Sequence, residues 1–132
     1  MLIMTRLVDD LFYPRLSYKL NGILFSAHNE LGRYSREKQY GDFIEKALKR
    51  EKISFKREIE IGNTGNIADF VIKDLIVLEL KNVRIITKKD YFQIQRYLHT
   101  ANIKLGIIVN FRQRYLKPKR IIRTREVAKS NN

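Results

Sequence analysis

The stretch from Ala68 to Lys81, ADFVIKDLIVLELK, constrains this chain most. Two short apolar runs flank Lys73-Asp74 and read as two strands joined by a tight turn. Successive strand residues face opposite sides. Glu79 and Lys81 therefore share one face, and Ile76, Leu78 and Leu80 share the other. Asp69 stands near the start of the first strand, diagonal to that pair once the hairpin closes. Two acids and a lysine thus converge at one end of an apolar sheet.

Charged side chains are seldom buried without a partner or a metal. Two close carboxylates repel, and one takes up a proton unless a cation lies between them. Oxygen donors of this kind suit Mg²⁺ or Mn²⁺, with waters and substrate phosphate completing the shell. A lysine beside such an ion can orient the attacking water and neutralise developing charge. Alternation alone is equally compatible with an edge hairpin whose charges face water.

Length and charge narrow the setting. With 132 residues, one domain spanning 1–132 is expected, large enough for a real core. The chain has no cysteine, which excludes disulfides and thiolate metal sites and fits a cytoplasmic protein. No run is long enough to cross a membrane, and the start lacks the order of a signal peptide. Lys and Arg number 27 against 14 Asp and Glu, a net charge of +13. Such a basic domain favours polyanions such as DNA, RNA or an anionic membrane surface, and nucleic acid is the expected partner, unless the basic surface serves solubility alone. With no tryptophan and ordinary aromatic content, a dedicated single-strand stacking platform is not expected.

Residues 1–16 read as a mixed N-terminal arm, with Pro14 breaking any helix. Leu20, Ile23, Leu24, Ala27 and Leu31 then fall at helical spacing, and Gly32 can close that helix. His28 and His99 are isolated, so neither reads as a metal ligand. Ser35 reads as the cap of a second helix with the stripe Tyr40, Phe43, Ile44, Ala47, Leu48. Glu37 shares that inward face and is either a first-turn acid favoured by the helix dipole or a carboxylate aimed at a metal. Residues 53–61 alternate as a half-exposed strand, and the cluster Gly62 to Asn66 turns the chain. A third helix follows, capped near Thr87 and running from about Lys89 to Thr100; on it Gln93 and Tyr97 share a face, with Asp90 one turn earlier. Leu105 to Val109 is a continuous apolar run, as in a central strand covered on both faces.

The segment 112–132 reads as a basic C-terminal tail. Its Arg112, Arg114, Lys117, Lys119 and Arg120 are candidate phosphate contacts, unless they are merely solvated. No Gly-rich phosphate loop, zinc pattern or Ser-His-Asp spacing is present.

The order of these motifs is Glu37 on a helix, Asp69 on a strand, Glu79-Leu80-Lys81 on the next strand, then Gln93 to Tyr97 on a helix. This resembles the PD-(D/E)XK nuclease superfamily. More narrowly it is similar to the GxxExxY family, with Gln93-xxx-Tyr97 matching the element of RecB-like members. Glu37 and Tyr40 match the Glu-xx-Tyr half of that name, whereas the expected glycine is Tyr34. The likeness covers roughly His28 to Arg112.

The resemblance implies a mixed α/β (α+β) fold with a restriction-endonuclease-like αβββαβ core, a mixed sheet flanked by helices. It implies Mg²⁺- or Mn²⁺-dependent hydrolysis of phosphodiester bonds, making the chain an enzyme. Asp69, Glu79 and the Leu80 carbonyl would hold the metal, with Glu37 completing the acidic shell. Lys81 would position water, while Gln93 and Tyr97 would orient the site or touch the substrate. Tyr40 is carried over as a nucleic-acid contact. A homodimer is compatible with such chemistry. The alternative is a nucleic-acid-binding or assembly module that keeps the fold without turnover. A lipid-surface role lacks a basic amphipathic helix.

Overall fold

The computed structural model describes residues 12–125 except Thr64. Helices α1 (Pro14–Leu31) and α2 (Glu37–Arg50) lead into strands β1 (Phe55–Glu60), β2 (Ile67–Ile72) and β3 (Ile76–Lys81). Helix α3 (Lys88–Ala101) and strands β4 (Leu105–Asn110) and β5 (Lys119–Ile122) complete the order. The expected αβββαβ core is present, preceded by α1 and followed by β5.

Pro14 opens α1 instead of breaking a helix. A first-turn residue needs no N–H donor, and proline's fixed φ is already helical there. The expected N-terminal arm therefore gives up its last three residues to α1, and residues 1–11 lie outside the described residues. The stripe Leu20, Ile23, Leu24, Ala27 is buried as its spacing requires. Gly32 closes α1 at φ 75°, a left-handed value that costs glycine little, and its N–H donates to the His28 carbonyl.

The cap of α2 is Arg36, not Ser35. Ser35 spends its hydroxyl on the Leu31 carbonyl (3.0 Å), a free acceptor at the end of α1. The Gln39 side chain accepts from the Arg36 N–H instead (2.9 Å).

One five-stranded sheet runs in the order β1-β2-β3-β4-β5. β3 and β4 are parallel, as a crossover through α3 demands, and the other pairs are antiparallel. β4 is buried along its whole length, as its apolar run predicts. The two faces of the sheet form separate cores. Leu24, Tyr40, Ile44, Phe70, Leu78 and Phe111 pack on the α1–α2 face. Val71, Val77, Ile94, Leu98 and Ile108 pack on the α3 face. At Gly106 of β4, a Cβ would lie 2.7 Å from Ile94 Cδ1, so glycine admits α3 close to the sheet.

The basic tail is corrected in part. Lys119–Ile122 adds an antiparallel edge strand to β4, and Leu116 before it is buried. Two charges and the nearby Pro118 gave this strand no alternating signal. The lysine and arginine face solvent, as suits an exposed edge. No helix among the described residues is long and apolar enough to cross a membrane.

Candidate metal and catalytic centre

The β2–β3 ladder pairs Ile72 with Ile76, Val71 with Val77 and Phe70 with Leu78, then stops. The next positions are Asp69 and Glu79. There the backbone pairing is replaced by side chains. The Asp69 N–H donates to Glu79 Oε1 (3.0 Å), and the Leu80 N–H donates to Asp69 Oδ2 (2.7 Å). Each carboxylate thus satisfies a backbone donor of the opposite strand with one oxygen. The other oxygen of each forms no hydrogen bond among the described residues.

The distortion extends to the outer neighbour. β1 pairs with β2 at Arg57–Phe70 and Ile59–Ala68, skipping the position of Glu58 opposite Asp69. Glu58 has φ 52°, an unfavourable value for a residue with a side chain. Strained backbone of this kind persists where the surroundings over-determine it, commonly at functional sites.

Both carboxyls are perturbed. Burial pushes Glu79 up to about 8, and the neighbouring Asp69 charge adds to that rise. Burial also raises Asp69, with the charge of Glu37 acting in the same direction, while the Leu80 N–H opposes them. Glu79 is only 5% exposed, so water does little to spread its charge. Glu37 itself lies on the exposed first turn of α2, not on the inward face. Arg36, Lys38 and Gln39 are exposed with it, and burial on α2 begins only at Tyr40. Glu37 nevertheless reaches both acids electrostatically.

Lys81, on the face of Glu79, pairs with Asp90 of α3 (Nζ to Oδ1, 3.6 Å). Asp90 also accepts from the Thr87 N–H (2.9 Å) and hydroxyl (3.3 Å). The Thr87 N–H, followed by the Lys81 charge, holds its carboxyl below the usual range. Sequence reasoning placed Asp90 one turn before Gln93 but gave it no role. The Thr87–Asp90 capping spacing was the available signal. Tyr97 is buried, donates to the Ile67 carbonyl (3.3 Å), and is pushed up to about 12 by burial and by the Glu79 and Asp69 charges. Gln93 is half-buried on α3 and forms no hydrogen bond among the described residues.

Tyr40 is a correction. It is fully buried, stacked on Phe111 (centroids 3.9 Å, planes 7° apart), and its hydroxyl donates to the Gly32 carbonyl. The stacked ring and the Gly32 bond brace the α1–α2 junction, so it cannot reach nucleic acid. The basic candidates divide. Arg112 is anchored on Asn82, donating to its Oδ1 (2.7 Å) and carbonyl (3.4 Å). Arg114 lies over the Tyr115 ring. Arg120 donates to the Phe12 carbonyl (2.6 Å). Lys117 and Lys119 border a cavity of about 220 Å³ with Arg84, Tyr91, Asn110 and Gln113. Buried Asn110, which ends β4, ties Val83 to the Arg112 N–H and so fixes the chain after Lys81. Its role was not visible from sequence spacing.

The donor set fits a hard divalent cation. Buried Glu79 and half-buried Asp69 each have an oxygen to spare, burial pushes Glu79 up to about 8, and Lys81 on the same strand pairs with Asp90. Among the described residues no group of three or more acidic, histidine or cysteine side chains gathers to hold a metal. A cation held by these two carboxylates would draw its remaining ligands from backbone oxygen, water or phosphate.

A family model for the PD-(D/E)XK nuclease superfamily matches residues 14–124. No curated protein and no solved structure gives a significant match. Across that span, from the proline that opens α1 to just past β5, the chain belongs to the PD-(D/E)XK nuclease superfamily.

Proposed function

We propose that the protein is a Mg²⁺- or Mn²⁺-dependent nuclease that hydrolyses phosphodiester bonds in DNA. The observation that carries this reading is the exchange of carboxylates across the β2–β3 fork, with Lys81 on the same strand face as Glu79. Asp69, Glu79 and the Leu80 carbonyl hold the ion in this reading, with Glu37 acting through water from the α2 rim. When bound, the ion supplies Lewis-acid polarisation of the phosphate and neutralises developing charge.

The chain's own groups do the rest. Lys81 orients the attacking water and offers its ammonium to the phosphate oxygens. Asp90 restrains that long side chain through the α3 cap. Tyr97 and Gln93 wall the site from α3, and Tyr97 stays neutral. Arg112, Arg114, Lys117, Lys119 and Arg120 hold the backbone of the substrate, independent of its sequence. Placement in the GxxExxY family rests on Glu37 and Tyr40 and lacks the glycine, replaced by Tyr34. The absence of cysteine supports a reducing cytoplasm.

A gel assay tests this directly. Plasmid, single-stranded DNA and RNA are incubated with Mg²⁺, Mn²⁺ or EDTA. Metal-dependent cutting of DNA, lost in Asp69→Asn, is expected. Binding that persists in EDTA with no cut product in either metal would instead favour a non-catalytic module, a reading for which the Lys81–Asp90 pair provides a resting state.

A further inference from the structure

Arg33 and Tyr34 of the loop between α1 and α2 meet Arg112, just after β4, in an arrangement of which the catalytic reading uses Arg112 alone. Tyr34 is 73% exposed. The Arg33 guanidinium lies 5.3 Å from its ring centroid and that of Arg112 lies 5.2 Å away. Neither arginine pairs with a carboxylate among the described residues.

These groups are held in place. Arg33 Nε donates to the Arg112 carbonyl (2.8 Å), and Arg112 Nε donates to Asn82 Oδ1 (2.7 Å). Asn82 in turn donates to the Ser35 carbonyl (2.6 Å), closing the circuit beside Tyr34. Two cations against one ring repel each other, and the ring's own attraction offsets that only in part. An anion shared by both forks relieves the repulsion, and guanidinium geometry matches phosphate. The exposed tyrosine beside it offers a flat apolar face at low entropy cost.

We propose that Arg33, Tyr34 and Arg112 bind an unpaired stretch of a nucleic-acid strand, phosphate to the arginines and base to the tyrosine. This rests on the nucleic-acid reading above. A duplex keeps its base faces stacked on one another, so only a base outside the stack can meet the ring. The position suits a strand entering the centre. Asn82 directly follows Lys81, and Glu37, three residues after Tyr34, is near enough for its charge to raise Asp69 and Glu79. The lack of tryptophan argued against an aromatic platform, but here one tyrosine shares the task with two arginines.

Fluorescence anisotropy of the full chain in EDTA tests this, using a labelled single strand and the duplex of the same sequence. Tyr34→Ala weakens single-strand binding roughly tenfold and leaves the duplex unchanged, while Tyr34→Phe binds as the unaltered protein does. Arg33→Gln lowers the single-strand salt slope by about 0.7. Unchanged single-strand affinity in Tyr34→Ala, or equal weakening of both substrates, overturns the proposal, as does failure of the unaltered protein to bind any single strand. A parallel Mn²⁺ cleavage assay keeps the two readings apart. Failure to cut with the Tyr34-dependent binding intact overturns the nuclease alone.

Discussion

At its turn end the β2–β3 hairpin is a regular ladder, and at its open end it is a fork. The turn end places Phe70, Ile72, Ile76 and Leu78 in one core and Val71 and Val77 in the other. Lys73 and Asp74 take φ of 53° and 56°, and the Leu75 N–H donates to the Ile72 carbonyl (2.8 Å), closing the turn. Everything there serves burial. At the open end the same two strands give up backbone pairing at Asp69 and Glu79, bury Glu79 and half-bury Asp69, and sit opposite a strained Glu58. The contrast divides the hairpin: apolar burial is concentrated at the closed end, and unsatisfied electrostatic demand at the open one.

The sharpest way to break that division is to disable the open end alone. Asp69→Asn and Lys81→Ala are each expected to lower DNA cleavage at least about 100-fold. Melting temperature in EDTA stays near that of the unaltered chain, because an asparagine oxygen can still accept the Leu80 N–H. Full cleavage in both variants, read on a plasmid gel, would remove the site from this fork.

The converse change belongs at the closed end. Leu78 is fully buried between β2 and β4. Leu78→Ala is expected to cost about 2–5 kcal/mol in urea unfolding, as cavity-forming core truncations do, with cleavage per folded molecule retained. A smaller loss than the low end of that range would mean the hairpin is not where the core is tightest.

A pH series separates the two ends by sign. Folded Glu79 titrates at about 8 against an ordinary 4.5, so between those values the native state holds a proton that the unfolded chain has released. Its contribution to stability is complete below pH 4.5 and is lost as pH rises to 8. Urea unfolding in EDTA across that window should show Glu79→Gln gaining on the unaltered chain as pH rises. Parallel curves would mean that Glu79 is not held up by burial.

The smallest effect is expected at Asp90. Asp90→Asn loosens Lys81 without touching the acids, so turnover should fall roughly tenfold while Mn²⁺ affinity is unchanged. A loss of metal binding in that variant would place Asp90 closer to the ion than the Lys81 pair allows.

Much of this was legible in the order of residues. Helical and strand periodicity located α1, α2, α3 and β4 to within a few positions, because each has one strongly apolar stripe or run. Period two placed Glu79 and Lys81 together, and the Asp69 partnership followed from hairpin geometry. What escaped depends on tertiary position. Pro14 looks like a breaker until it is seen at the first turn. Tyr40 carries a family motif, yet its ring belongs to the Phe111 stack, and no spacing rule tells a motif tyrosine from a core one. Glu37 lies one turn before Tyr40, but burial on α2 begins only at Tyr40. β5 is short, charged and next to proline, so only its pairing with β4 reveals it. The fork itself is invisible in sequence, since nothing local says where a ladder stops.

Calorimetric titration of the full chain with Mn²⁺ at neutral pH decides whether the β2–β3 fork takes up a divalent ion. One binding event is expected, with a proton released to the buffer as the ion displaces it from Glu79, and it should vanish in both Asp69→Asn and Glu79→Gln. Undiminished Mn²⁺ binding in both variants would show that the fork between β2 and β3 is not a metal centre.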